Sequence, residues 1–225
     1  GVGACLRTGT ACSDAVLGIL TQNAGETVEI TNECTRREAG SVNRNGCTLS
    51  TGAVVMADST FNFNQGVLNL SDDFEIAKGE ALGASFNLTA AHELNVAGTT
   101  TIEALGVLTL AGGTFSTGTL LELGKFEHIS GIFNLTGSNL VIGSDGQFGD
   151  TLQLSSSKQT NVGLATVIEN DGLLVVDNGA LSSSNYINHG AILLTRSTAR
   201  LKGGNLDNAG PVHGDGRVAA SRANH

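Results

Sequence analysis

Hydrolysis of a glycosidic bond needs two carboxylates facing one sugar linkage, and the chain offers Asp72-Asp73, Asp145, Asp150, Asp171 and Asp177 as candidates. All of them sit among Gly, Asn and Ser, where an acid is an ordinary occupant of a turn. A lyase would need a basic catalytic residue, yet Asn45 to Thr195 holds only Lys78, Lys125 and Lys158 as cations. Sugar grooves also present aromatic platforms, and here Tyr186 is the only tyrosine and Trp is absent. His92, His128, His189, His213 and His225 form no i, i+2 or i+4 pair, so each reads as a surface residue rather than a metal ligand. The run from Gly143 to Asp150 suggests a calcium-binding turn but stands alone, without the repeated nonapeptide of that class. The Gly-x-Gly pairs at Gly1 and Gly3 and at Gly214 and Gly216 lack the strand-then-helix setting of a nucleotide site. The serine runs at 155–157 and 182–184 read as loops. The expectation is a non-enzyme with no cofactor and no metal ligand.

The elements around these residues nearly repeat themselves. A glycine followed by a short apolar strand recurs as Gly-Val-Leu-Asn-Leu at 66–70, Gly-Val-Leu-Thr-Leu at 106–110, Gly-Ile-Phe-Asn-Leu at 131–135, Gly-Leu-Leu-Val-Val at 172–176 and Gly-Ala-Ile-Leu-Leu at 190–194. The anchors Leu68, Phe86, Leu108, Phe133, Leu152, Leu174 and Leu193 follow at irregular intervals of roughly 20 residues, the scale of a solenoid repeat. Between them lies a second strand phrase, which includes Leu121 and Leu140. Apolar residues at i and i+2 make a half-buried strand. No single coil can bury its inward row alone, so coils must stack in parallel. This predicts an all-β parallel β-solenoid with the nine anchors and partners named above pointing inward. An antiparallel β-sandwich, which also has many short strands, is the alternative.

The stretches Val-Ile-Glu-Asn-Asp-Gly-Leu-Leu-Val-Val-Asp-Asn-Gly-Ala-Leu at 167–181 and Tyr-Ile-Asn-His-Gly-Ala-Ile-Leu-Leu at 186–194 resemble the coils of secreted bacterial β-helix proteins, such as filamentous haemagglutinins and autotransporter passengers. The resemblance covers about residues 50 to 208. It implies a right-handed parallel β-helix on the cell surface and transfers no catalytic or binding residue.

Cys5, Cys12, Cys34 and Cys47 all fall in the first fifth of the chain, with no histidine before His92 and no close CxxC pair, which reads as two disulfides in an oxidising compartment. Three connectivities are open. Residues 1–50 are therefore expected to form a disulfide-containing cap, in which Ser13-Asp14 would N-cap a short helix and 27–31 the first strand. Residues 51–208 would be the solenoid body and 209–225 a mobile tail or subunit-contact segment. The sequons at Asn69, Asn87 and Asn134 fall inside the repeat phrase, where Asn is the outward residue. The net charge is −9, but Arg196, Arg200, Lys202, Arg217 and Arg222 concentrate at the C-terminal end and are candidate subunit contacts. An acidic body disfavours nucleic acid. The longest apolar run, 15–20, is too short to span a bilayer. The start at Gly1 without Met suggests a leader removed on secretion. The function expected is a non-catalytic extracellular subunit of a homopolymeric filament or matrix. The alternatives are a glycan-binding adhesin and a secreted polysaccharide-degrading enzyme.

Overall fold

The computed structural model describes residues 13–15, 19–22, 27–30, 34–37, 48–56 and 60–223. Every regular element among them is a strand, and together they form a parallel β-solenoid of about eight turns. The described strands pair in parallel, except for Thr27–Ile30 with Cys34–Arg37. That excludes the antiparallel sandwich. Two compact units result, one of 1–117 with 121–127 and one of 118–120 with 128–225.

In the first unit, the ladder runs from Ser13–Ala15 through Thr48–Thr51 and Gly66–Leu70 to the first half of His92–Ile102. Leu68 faces Leu94, Leu70 faces Val96 and Ile76 faces Ile102, all within the core. Alternation of side chains along each strand sends every second residue inward. Ile19–Gln22 and Thr27–Ile30 pair in parallel with Ala53–Met56 and Thr60–Phe63. Ser13–Ala15 and Ile19–Gln22 are strands in place of the short helix expected after Ser13-Asp14. Five apolar residues interrupted by Gly18 are too few for a stable helix, whereas a neighbouring coil satisfies the backbone of a strand at once. Of the described residues of the first fifth, 13–15, 19–22 and 27–30 pair in parallel with strands of the following coil. The disulfide pairing expected of Cys5, Cys12, Cys34 and Cys47 lies outside the described residues, apart from the backbone of Cys34.

In the second unit each coil has three faces. The first stacks 131–135, 158–162, 180–183, 200–203 and 217–219. The second stacks 140–142, 166–168, 186–188 and 206–208. The third stacks Thr151–Leu154, Leu173–Val176, Ala191–Leu194 and Val212–Gly214. Register shifts near 162–165 and 202–205 mark the corner between the first two faces. Within 209–225, Val212–Gly214 and Arg217–Ala223 are strands that add a further coil. Its backbone bonds come from the ladder, so small residues suffice there.

Gly172 and Gly190, which open two of the repeat phrases, sit at the corner before the third face. A Cβ on Gly190 would overlap the carbonyl oxygens of Glu169 and Gly172, and one on Gly210 would overlap that of Gly190. Successive coils approach too closely at this corner for any side chain. The phrases at 172–176 and 190–194 begin with glycine for that reason.

Leu68, Leu108, Phe133, Leu140, Leu152 and Leu174 are buried. Leu121, by contrast, is 47% exposed and Leu193 36% exposed. In Ala191–Leu194 the inward residues are Ile192 and Leu194, because Ile192 is the partner of Leu174 and Leu193 that of Val175. A slip of one residue reverses the face. In Val107–Glu122 it is Leu120 that points inward, and alternation leaves Leu121 outside. Phe86 is half-exposed and stacks on Phe63, their ring centroids 5.8 Å apart.

Candidate functional site

Asp145, Asp150 and Asp171 share the corner between the second and third faces, while Asp73 and Asp177 lie elsewhere. Asp73 Oδ1 accepts the Thr99 N–H at 2.7 Å and Asp171 Oδ2 the Ser144 N–H at 3.3 Å, while Asp177 pairs with Arg196 at 2.7 Å. The Arg196 guanidinium, with the Thr195 hydroxyl, holds the Asp177 carboxyl below the usual carboxylate range. Asp145 and Asp150 are exposed in the loop between Ile142 and Thr151. That loop closes on itself: Gly146 N–H donates to Gly143 O, Gly149 N–H to Gly146 O and Gly143 N–H to Gly149 O, and Gln147 Oε1 accepts the Val141 N–H at 2.7 Å. No cluster of three His, Cys, Asp or Glu residues suited to a metal ion occurs among the described residues.

Two histidines read from sequence as surface residues are buried instead. His92 Nδ1 accepts the Thr89 N–H at 3.0 Å and lies 2.8 Å from Thr89 Oγ1, while its Nε2 lies 2.9 Å from Phe63 O. A carbonyl only accepts and Nδ1 is already accepting, so the ring is the neutral Nε2–H tautomer. It is a structural rivet against Phe63 and Phe86, edge-on to both. His128 Nε2 donates to Gly131 O at 3.1 Å, and burial pushes its pKa down to about 4. Tyr186 is buried, its hydroxyl 2.9 Å from Leu181 O and 2.8 Å from Lys202 O one coil on, so it offers no platform for a sugar.

The outward surface is laddered with amides. Asn95 Nδ2 donates to Asn69 Oδ1 at 2.9 Å, Asn69 Nδ2 to Ser50 Oγ at 3.0 Å and Asn161 Nδ2 to Asn134 Oδ1 at 2.8 Å. The sequon asparagines Asn69 and Asn134 are therefore engaged with adjacent coils. A groove of about 230 Å³ lies beside His92, lined mainly by small residues and the Glu93 carboxylate.

The basic candidates divide. Arg196 is neutralised by Asp177. Arg200 and Arg217 face each other in register on the first face, with Lys202 two residues along, and both Lys202 and Arg217 are exposed. Arg222 is the backbone partner of Leu206, on the second face rather than the first. Sequence spacing alone did not separate these roles, because the corner at 203–204 changes which residues share a face. Among the described residues no helix is long and apolar enough to cross a membrane.

No protein-family model, curated protein or solved structure matches the chain.

Proposed function

We propose that the chain is a non-catalytic structural subunit that polymerises end to end into an extracellular filament or matrix. The observation that carries this is the strand edge at 212–223: among the described residues, Val212–Gly214 pairs only with Ala191–Leu194 and Arg217–Ala223 only with Arg200–Asn208. An unpaired parallel edge is a template for another strand. The inward columns taper there, from Leu194 to Gly214, Ile192 to Val212 and Leu201 to Val218, so a following coil with larger side chains would find room. Joining one end of a coil stack to the other is a heterologous contact and gives an open fibre unless it closes into a ring. A right-handed coil, secretion and a cap stapled by Cys5, Cys12, Cys34 and Cys47 belong to the same reading. It rests for these on the clustered cysteines and on the repeat resemblance.

Arg217 N–H donates to Ala199 O, so the N–H of Val218 points to the free side. Val218→Pro removes that donor without breaking an existing ladder bond. Fibres of the intact chain in negative stain, lost in Val218→Pro while its melting temperature is kept, are the expected result. An intact chain that stays monomeric at high concentration would overturn the reading.

A further inference from the structure

Arg200 and Arg217 stand directly opposite each other, and Lys202 shares their outward side because Leu201 between them is buried. Like charges in register on adjacent strands repel. No carboxylate relieves them on this face: the preceding rows bring Ala180 and Ser182, then Gln159 and Asn161, then Ile132 and Asn134. Arg200 is anchored by the carbonyls of Ser197 and Ala199, at 3.0 and 3.3 Å. The nearest acids, Asp215 in the turn before Arg217 and Asp207 on the adjoining face, form no ion pair with any of the three; the described ion pairs are Lys125 with Glu127 and Arg196 with Asp177. In a chain of net charge −9, these three cations form no ion pair among the described residues.

The same unit carries the complement. The carboxylates of Glu169 and Asp171 both lie over the backbone of Gly143, where an added Cβ would touch them, and Asp145 is exposed two residues on. None of these acids is paired with a cation. This corner lies between the second and third faces, on the far side of the coil from the first. The two patches therefore point away from each other within one unit and are free to meet between copies.

We propose that copies of this chain dock side by side, the Arg200, Lys202 and Arg217 face of one against the Glu169, Asp171 and Asp145 corner of the next. It shares with the filament reading only that the partner is a second copy, and it uses a face and a corner rather than a strand edge. The contact is heterologous, so it propagates into lateral rows. Opposed charge sets the register and is weakened by salt.

Sedimentation velocity of the intact chain at low and high salt tests it, with Lys202→Glu/Arg217→Glu as one variant and Asp145→Lys/Asp171→Lys as the other. The wild type should associate at low salt and dissociate at high salt, and each variant alone should associate about tenfold or more weakly. An equimolar mixture of the two variants should associate again, because one then carries acid on both patches and the other base on both. That rescue separates docking from misfolding. Val218→Pro should leave lateral association intact, so this proposal and the filament reading fail separately. A wild type monomeric at low salt, or variants that associate as it does, would overturn the proposal. So would a monomer that binds polygalacturonate at low salt through the same three cations, since the face would then serve an anionic polysaccharide.

Discussion

Burial pushes the His128 imidazole down to about 4, with the Lys158 charge acting in the same direction and the Gly131 carbonyl opposing. Between that value and the ordinary 6.5 the unfolded chain binds a proton that the folded chain does not, so stability rises with pH across this window. The contribution is complete above about pH 6.5 and is lost as pH falls toward 4, amounting to about 3 kcal/mol. The Glu122 carboxyl, raised by burial, works the other way, so the comparison must be with a variant. His128→Leu should lose about 2–3 kcal/mol less than the wild type between pH 7 and pH 4.5 in urea unfolding. Equal losses would mean that the ring is solvated. His92 was not legible as a core residue, because a group that satisfies it lies on Phe63, 29 residues away. Polar residues enter such a core when a partner is within reach, and spacing along one strand does not reveal the partner.

The repeat phrase was legible because glycine marks a place where two backbones nearly touch. Gly190→Ala should destabilise the chain severely, since the Cβ would meet backbone oxygens on two sides that cannot rotate away. Gly149→Ala is the control: its Cβ would meet nothing, although its φ of 62° adds strain of about 1 kcal/mol. Thermal melts should rank Gly190→Ala well below Gly149→Ala, and the reverse order would mean that the corner can open. Inward register was less legible. Counting from the glycine makes Leu174 and Ile192 equivalent, whereas choosing the central leucine by eye selects Leu193. The failure at Leu121 has the same origin, since of the adjacent leucines it is Leu120 that turns inward.

A stack of coils has mostly nearest-neighbour contacts, so damage should stay near its source. Leu174→Asp places an unpaired charge between Leu152 and Ile192 at a cost of several kcal/mol. Hydrogen exchange should lose protection in Thr151–Leu154 and Ala191–Leu194, while Gly66–Leu70 keeps its own. Uniform loss along the chain would point to one cooperative block instead. The same architecture decides where the chain tolerates change in length. Between the second and third faces, one coil takes the eight-residue loop 143–150, while the next takes only 169–172 from Ile168 to Leu173. Both coils keep Ile142 opposite Ile168 and Thr151 opposite Leu173. A corner that absorbs this difference is a graft point, where a foreign peptide can be displayed on a fixed frame, and where lineages can lengthen or shorten a coil without renegotiating the ladder on either side.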